Sequence, residues 1–141
     1  MAGEIQNINT DILYDKHIML VDDDEDNLLL MATYLLKHGA RVATAIHGMG
    51  CLDFIEQCND LNLLLIDLHM PLMGGLEAIE RIREQSDYKS IPIVVLTDDD
   101  TVGIRDKCVN LGANDFLSKP ITKDELIEAI CVWISNAGYE G

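Results

Sequence analysis

A chain of 141 residues, 48% of them hydrophobic, has the size and apolar content of one globular domain with its own core. Lys and Arg number 10 against 25 Asp and Glu, a net charge of -15 that repels a phosphate backbone and argues against direct nucleic-acid binding; cations and basic partner surfaces are its complements. No apolar run approaches the length of a membrane span and no basic-then-apolar leader opens the chain, so a soluble cytoplasmic protein is expected.

In chain order, residues 1–16 carry no clear period and read as an N-terminal extension. Residues 18–21 form a short apolar run that ends in the acidic cluster Asp22-Asp23-Asp24-Glu25-Asp26. Within that cluster Asp24 is expected to face solvent and Asp26 to cap the helix that follows. From 27 to 38 apolar residues recur at helical spacing (Leu28, Leu29, Met31, Ala32, Leu35, Leu36), and Gly39 closes the helix. Residues 41–44 read as strand, 49–57 as helix, and 61–67 as a strand whose aliphatic run ends on Asp67, shortly before Pro71. After Gly74-Gly75 a helix covers 76–84. Residues 91–97 read as strand, with Pro92 at the entry where a missing N–H is tolerated. A polar helix spans 101–111 and is closed by Gly112, 115–118 is a short strand, and 124–135 is a last helix opened by the capping sequence Thr122-Lys123-Asp124-Glu125.

Strands alternating with helices imply βαβ units and a parallel sheet, an α/β doubly wound (βα)5 domain of five strands. The runs "LLLI" and "IPIVVL" are continuously apolar, as strands covered on both faces require. Cys51, Cys58, Cys108 and Cys131 show no close metal-ligand spacing and read as reduced, mostly buried small hydrophobes. His17, His38 and His47 read as surface or loop residues.

In such a sheet, ligands bind beyond the carboxyl ends of the strands. Asp22-Asp23 follow the first strand, Asp67 ends the third, Thr97 the fourth, and the fifth runs through Ser118 into Lys119-Pro120. The topology therefore delivers residues far apart in sequence to one edge. Three carboxylates at about 4 Å repel by roughly 4 kcal/mol per pair at an effective dielectric of about 20, so such a cluster is suited to a divalent cation. All-oxygen donors point to Mg²⁺, with Mn²⁺ as surrogate. A carboxylate beside Mg²⁺ is a competent nucleophile toward phosphorus, and Lys119 and Thr97 are placed to hold the remaining phosphoryl oxygens.

The pieces "IMLVDDDEDN", "LLLIDLHMPLMGGLEAIERIR", "IPIVVLTDDD" and "GANDFLSKPIT", in this order and spacing, resemble the receiver domain of two-component response regulators, in particular the stand-alone chemotaxis type. The resemblance covers residues 17–137, leaving 138–141 as a C-terminal tail. It implies the flavodoxin-like strand order 2-1-3-4-5. It also implies that Asp67 accepts the phosphoryl group and that Asp22, Asp23, Asp67 and the backbone carbonyl of His69 hold Mg²⁺. Thr97 would be the switch hydroxyl, Lys119 the phosphate-contacting lysine and Phe116 the aromatic switch, although plain core packing is an equal reading of Phe116. The implied donor is a sensor histidine kinase or a histidine phosphotransfer protein. The implied output is a downstream protein bound on the face formed by the last two helices and the fifth strand. Such a module is not an enzyme beyond its own aspartyl phosphorylation and dephosphorylation.

Two features depart from the usual pattern. Asp98 stands where the family keeps a small residue, and it reads either as a charge at the mouth of the site or as a cap for the next helix. His69 and Asp99 occupy two positions that in the family modulate phosphate lifetime, which the resemblance implies for them here. A pseudo-receiver, folded alike but used only for docking, is the alternative; it usually lacks one of the acids or the lysine, and none is lacking here. A flavodoxin-like flavin carrier would need a phosphate-binding loop where this chain has acids. No DNA-binding or catalytic segment follows Ala137, so output is expected through protein binding, by this chain alone or as part of a longer one.

Overall fold

The buried runs of the sequence become the middle of a five-stranded parallel sheet. The computed structural model describes residues 10–70, 73–84 and 90–140, with side chains through 135. The elements are β1 (His17–Val21), α1 (Glu25–Leu36), β2 (Arg41–Ala45), α2 (Gly48–Gln57), β3 (Leu63–Ile66), α3 (Gly75–Glu84), β4 (Ile93–Thr97), α4 (Ile104–Leu111), β5 (Asp115–Ser118) and α5 (Lys123–Glu140). Strand order is β2-β1-β3-β4-β5, all parallel, the doubly wound order 2-1-3-4-5. None of the described helices is long and apolar enough to cross a membrane.

Alternation along the strands builds two cores. Met19, Leu64, Ile66 and Val95 point to one face, where Cys51 and Ile55 of α2 and Ala78, Ile79 and Ile82 of α3 pack on them. Leu20, Leu63, Leu65 and Val94 point to the other, against Leu28, Met31 and Leu35 of α1 and Leu126, Ile127 and Ile130 of α5. Every residue of β3 and β4 is buried, at about 1.5–3 kcal/mol for each large aliphatic side chain removed from water. Cys51, Cys108 and Cys131 are buried in these cores and none of the four cysteines forms a disulfide; burial pushes the Cys51 thiol up to about 12.

Several boundaries differ from the sequence expectations. The N-cap of α1 is Asp24, not Asp26: its carboxylate accepts from Asp26 N at 3.0 Å and Asn27 N at 3.2 Å. Asp26 lies in the first turn, where an acid complements the helix dipole. Gly39 closes the end of α1 at φ +82°, a conformation in which a side chain would be strained. The α4 helix begins at Ile104 after Gly103 at φ +88°, three residues later than the pattern suggested. Thr122 and Glu125 form the expected capping box, Thr122 N donating to Glu125 Oε1 at 2.9 Å and Glu125 N to Thr122 Oγ1 at 3.1 Å. The final helix then continues to Glu140, past the residues read as its end.

Of the segment read as an extension, residues 1–9 lie outside the described residues, as do Pro71 and Gly141. Thr10–Leu13 forms a 3-10 turn, and Leu13 is fully buried in the core shared by α1 and α5.

Candidate functional site

Register decides which side chains meet. Val21 pairs with Ile66, so the residues after them, Asp22 and Asp67, leave the sheet side by side. Asp67 N donates to Val21 O at 2.9 Å, and Lys119 N to Thr97 O at 2.8 Å, which sets the lysine beyond the end of β4. The loop after β3 then folds back sharply. Gly75 N bonds Leu68 O at 2.8 Å, and a Cβ on Gly75 would run into the Asp67 carbonyl oxygen and Leu68 Cα, so only glycine permits the approach.

Asp22 is 1% exposed and fully engaged. Its Oδ1 accepts from Asp24 N at 3.0 Å, and its Oδ2 accepts from Asn27 Nδ2 at 2.8 Å and Lys119 Nζ at 3.1 Å. Lys119 Nζ also lies 3.6 Å from Asp67 Oδ2. Asp23 is solvent-exposed, and carboxylate oxygens of Asp22, Asp23 and Asp67 all fall within 4.8 Å of one another. Burial raises the Asp67 carboxyl above its ordinary range; Lys119 opposes that and Asp22 adds to it. Burial pulls the Lys119 ammonium down, but the bond to Asp22 and the charges of Asp67, Asp22 and Asp98 outweigh it and hold the lysine above its ordinary value.

Three hard oxygen donors, with Asp23 open to solvent, match the requirements of Mg²⁺, which keeps several waters and takes few protein carboxylates. The donor set therefore fits the cation that the sequence suggests.

Thr97 is fully buried at the end of β4, and its Oγ1 accepts from Asp99 N at 3.2 Å. The loop that follows is tied to the loop after β3. His69 Nε2 meets Asp99 Oδ2 at 2.6 Å, while Asp99 Oδ1 accepts from Thr101 N at 2.9 Å. The bonds to Thr101, with that to His69, lower the Asp99 carboxyl to about 2. These bonds hold 99–101 as a loop and delay the start of α4. The reading of Asp98 as a cap for the next helix is therefore corrected: Asp98 lies in the loop and Gly103 caps α4, with no side-chain bond. Asp98 is exposed, and with Asp24, Asn27 and Lys119 it lines the open depression above the acids.

Asp22, Asp23, Asp67 and Lys119 are thus brought together, with Thr97 at the adjoining strand end and His69, Asp98 and Asp99 at the rim. Phe116 is not among the acids. It is buried on the α4 side of the sheet, 8% exposed, with the Arg105 guanidinium 5.7 Å from its ring centroid. Asn27 is the contributor that the sequence analysis missed. It read as the first helical residue, whereas its amide anchors Asp22; the signal was the amide residue directly after the acidic run in "DDDEDN". The His69–Asp99 bond had no local signal, since the partners are 30 residues apart.

Residues 18–131 match the response regulator receiver domain family. The chain is 34% identical over 122 residues to the CAI-1 autoinducer sensor kinase/phosphatase CqsS of Vibrio cholerae, covering 86% of this chain and 18% of that protein. It is 34% identical over 123 residues to the hybrid signal transduction histidine kinase M of Dictyostelium discoideum, covering 84% of this chain and 5% of that one. It therefore spans a small part of the length of these relatives. Among solved structures, it superposes on a CheY-like response regulator receiver domain protein from Methanospirillum hungatei with a TM-score of 0.83 at 27% identity, covering 90% and 99% of the two chains. The receiver domain of a sensor histidine kinase from Pseudomonas aeruginosa, solved with a magnesium ion coordinated in its active-site cleft, superposes with a TM-score of 0.79 at 30% identity, covering 86% and 98%. By its match over residues 18–131 and by the order of its strands, this chain belongs to the response regulator receiver domain family.

Proposed function

We propose that the chain accepts a phosphoryl group on Asp67 from a histidine kinase or a histidine phosphotransfer protein and signals by altered protein binding. The observation that carries this reading is the placement of Lys119 between two carboxylates, 3.1 Å from Asp22 and 3.6 Å from Asp67. The half-buried ammonium ties down Asp22, and it also stands where the oxygens of a transferring phosphoryl group need positive charge. That several relatives are sensor kinases by name supports a phosphohistidine donor.

Asp22, Asp23, Asp67 and the carbonyl of His69 would hold Mg²⁺, whose chemistry there is to neutralise the charge of the incoming phosphoryl oxygens. The remaining work falls to the chain. Asp67 Oδ attacks phosphorus, the new O–P bond forming as the donor's P–N bond breaks, and the donor imidazole leaves with the electron pair. Burial keeps the Asp67 carboxylate poorly solvated and hence reactive. Lys119 holds one phosphoryl oxygen. The Thr97 hydroxyl turns from Asp99 N to another, and this loosens the loop that leads into α4. Through α4, β5 and α5 the change reaches a downstream protein.

The test is intact-mass measurement after incubation with acetyl phosphate and Mg²⁺. One phosphoryl adduct on the wild type and none on Asp67→Asn is expected; an adduct on the variant would place the acceptor elsewhere.

A further inference from the structure

The end of the sheet opposite the acids carries a second convergence of donor atoms. His17 opens β1, and the connection from α2 to β3 brings Cys58 and Asp60 against it. His17 Nδ1 lies 2.9 Å from Asp60 Oδ1 and 3.7 Å from Cys58 Sγ, and Sγ lies 3.3 Å from Asp60 Oδ1. The imidazole is held in place. Its ring stands edge-on to Phe54, with centroids 5.6 Å apart at 85°, and its side chain is only 14% exposed. His17 N donates to Asn62 Oδ1 at 2.8 Å and Asn62 N to His17 O at 2.8 Å, fixing the backbone from both sides. Arg41 Nη1 takes Asp60 Oδ2 at 2.8 Å, which leaves Oδ1 turned toward the histidine and the thiol.

We propose that His17, Cys58 and Asp60 form a binding site for a borderline-soft divalent cation of the Zn²⁺ class, separate from the acids at the other end of the sheet. One imidazole nitrogen, one thiolate sulfur and one carboxylate oxygen are donors that select Zn²⁺ over the hard Mg²⁺. A tetrahedral Zn²⁺, with bonds of about 2.0–2.1 Å to N and O and about 2.3 Å to S, sets its donors roughly 3.3–3.6 Å apart. The observed separations of 2.9, 3.3 and 3.7 Å lie on both sides of that range, so the ion enters with shifts of a few tenths of an ångström. Three protein donors leave the fourth position to water. Asp60 is half exposed, and a shallow depression lined by Asp53, Phe54, Gln57 and Cys58 reaches the sulfur from solvent. On binding, the S–H bond of Cys58 breaks, its proton goes to solvent, and the sulfur lone pair passes to the cation. His17 gives its Nδ1 lone pair and keeps its proton on Nε2.

The test uses the whole chain, stripped of metal, kept reduced and held in excess Mg²⁺. Co²⁺ serves as the spectroscopic stand-in and Zn²⁺ as the competitor. A near-ultraviolet thiolate-to-cobalt band should saturate at one equivalent, bleach on adding Zn²⁺, vanish in Cys58→Ser and persist in Asp67→Asn. Zn²⁺ affinity, measured against a chromophoric chelator, should fall roughly tenfold or more in His17→Gln. Serine preserves the size of Cys58 and its bond to Asp60, so circular dichroism should show a retained fold, and the glutamine variant provides the answer if it does not. A wild type without the band, a band that survives Cys58→Ser, or Zn²⁺ affinity unchanged in His17→Gln overturns the site and leaves the three residues as a hydrogen-bonded tie across β1 and β3.

Discussion

Neutralising Asp67 should stabilise the metal-free protein. Three influences act on its charge, and the distances decide among them. At an effective dielectric of about 20, Asp22 within 4.8 Å repels Asp67 by roughly 3.5 kcal/mol or more, while Lys119 at 3.6 Å attracts it by about 4.6 kcal/mol. Asp23 adds repulsion, but it is solvent-exposed and its contribution is screened to well below that of Asp22. Attraction and repulsion therefore nearly cancel, and burial, the largest influence on the Asp67 carboxyl, tips the balance against the ionised form. Asp67→Asn removes that penalty, which is on the order of 1–2 kcal/mol, or a rise of roughly 3–8 °C in Tm for a domain of this size. Thermal melts in EDTA at neutral pH read the difference. Adding Mg²⁺ at ten times its Kd should give the wild type about 1.4 kcal/mol and the variant less, closing the gap. An asparagine variant that melts at or below the metal-free wild type would refute this balance of forces.

Thr97→Ala should leave labelling of Asp67 by acetyl phosphate detectable in intact-mass spectra, yet weaken the effect of phosphorylation on partner binding, because in the proposed function the hydroxyl reports and does not attack. Asp98→Ala should speed that labelling on the order of tenfold at low ionic strength and much less at high salt, where screening removes the charge at the mouth; equal rates at both would assign Asp98 no part in donor entry. Glu125 is held below the ordinary carboxylate range, first by the backbone N–H of Thr122 and then by its side chain, so its stabilisation is present above the unfolded pKa and lost as pH falls through the folded one. Below about pH 5 the wild-type Tm should therefore fall more steeply than that of Glu125→Gln, and parallel curves would show that the capping box contributes nothing through charge.

What the sequence revealed depended on how far apart the relevant residues stand. Strands β3 and β4 were readable as "LLLI" and "IPIVVL" because burial on both faces leaves no polar position to blur them. Their ends placed Asp67 and Thr97 on one edge as soon as the sheet was taken as parallel. The acidic run after β1 was harder: it offers several capping acids in succession, and Asp24 becomes the cap only because Asp22 turns inward to Asn27 and Lys119. The start of α4 was misplaced because Asp99 spends its carboxylate on Thr101 and on His69, a residue of another loop. His17 looked like a surface histidine, and only the neighbouring of β1 and β3 brings Asp60, 43 residues away, to its ring.

Lys119 has a further consequence, which concerns valence. Three carboxylates and one ammonium share the pocket, so two negative charges are left without a local partner, the complement of one divalent cation. A monovalent ion leaves the pocket anionic, and a trivalent one overshoots. Phosphorylation as proposed would exchange the single charge of Asp67 for about two on the phosphoryl group, which would restore an anion beside the metal. On that reading cation and phosphate would favour each other by the same factor, since coupling between two ligands of one protein is reciprocal. Under the proposed function, the concentration of free divalent cation around this protein would therefore set how much phosphate it carries at a given donor supply, and a phosphorylated population would in turn hold its metal against dilution.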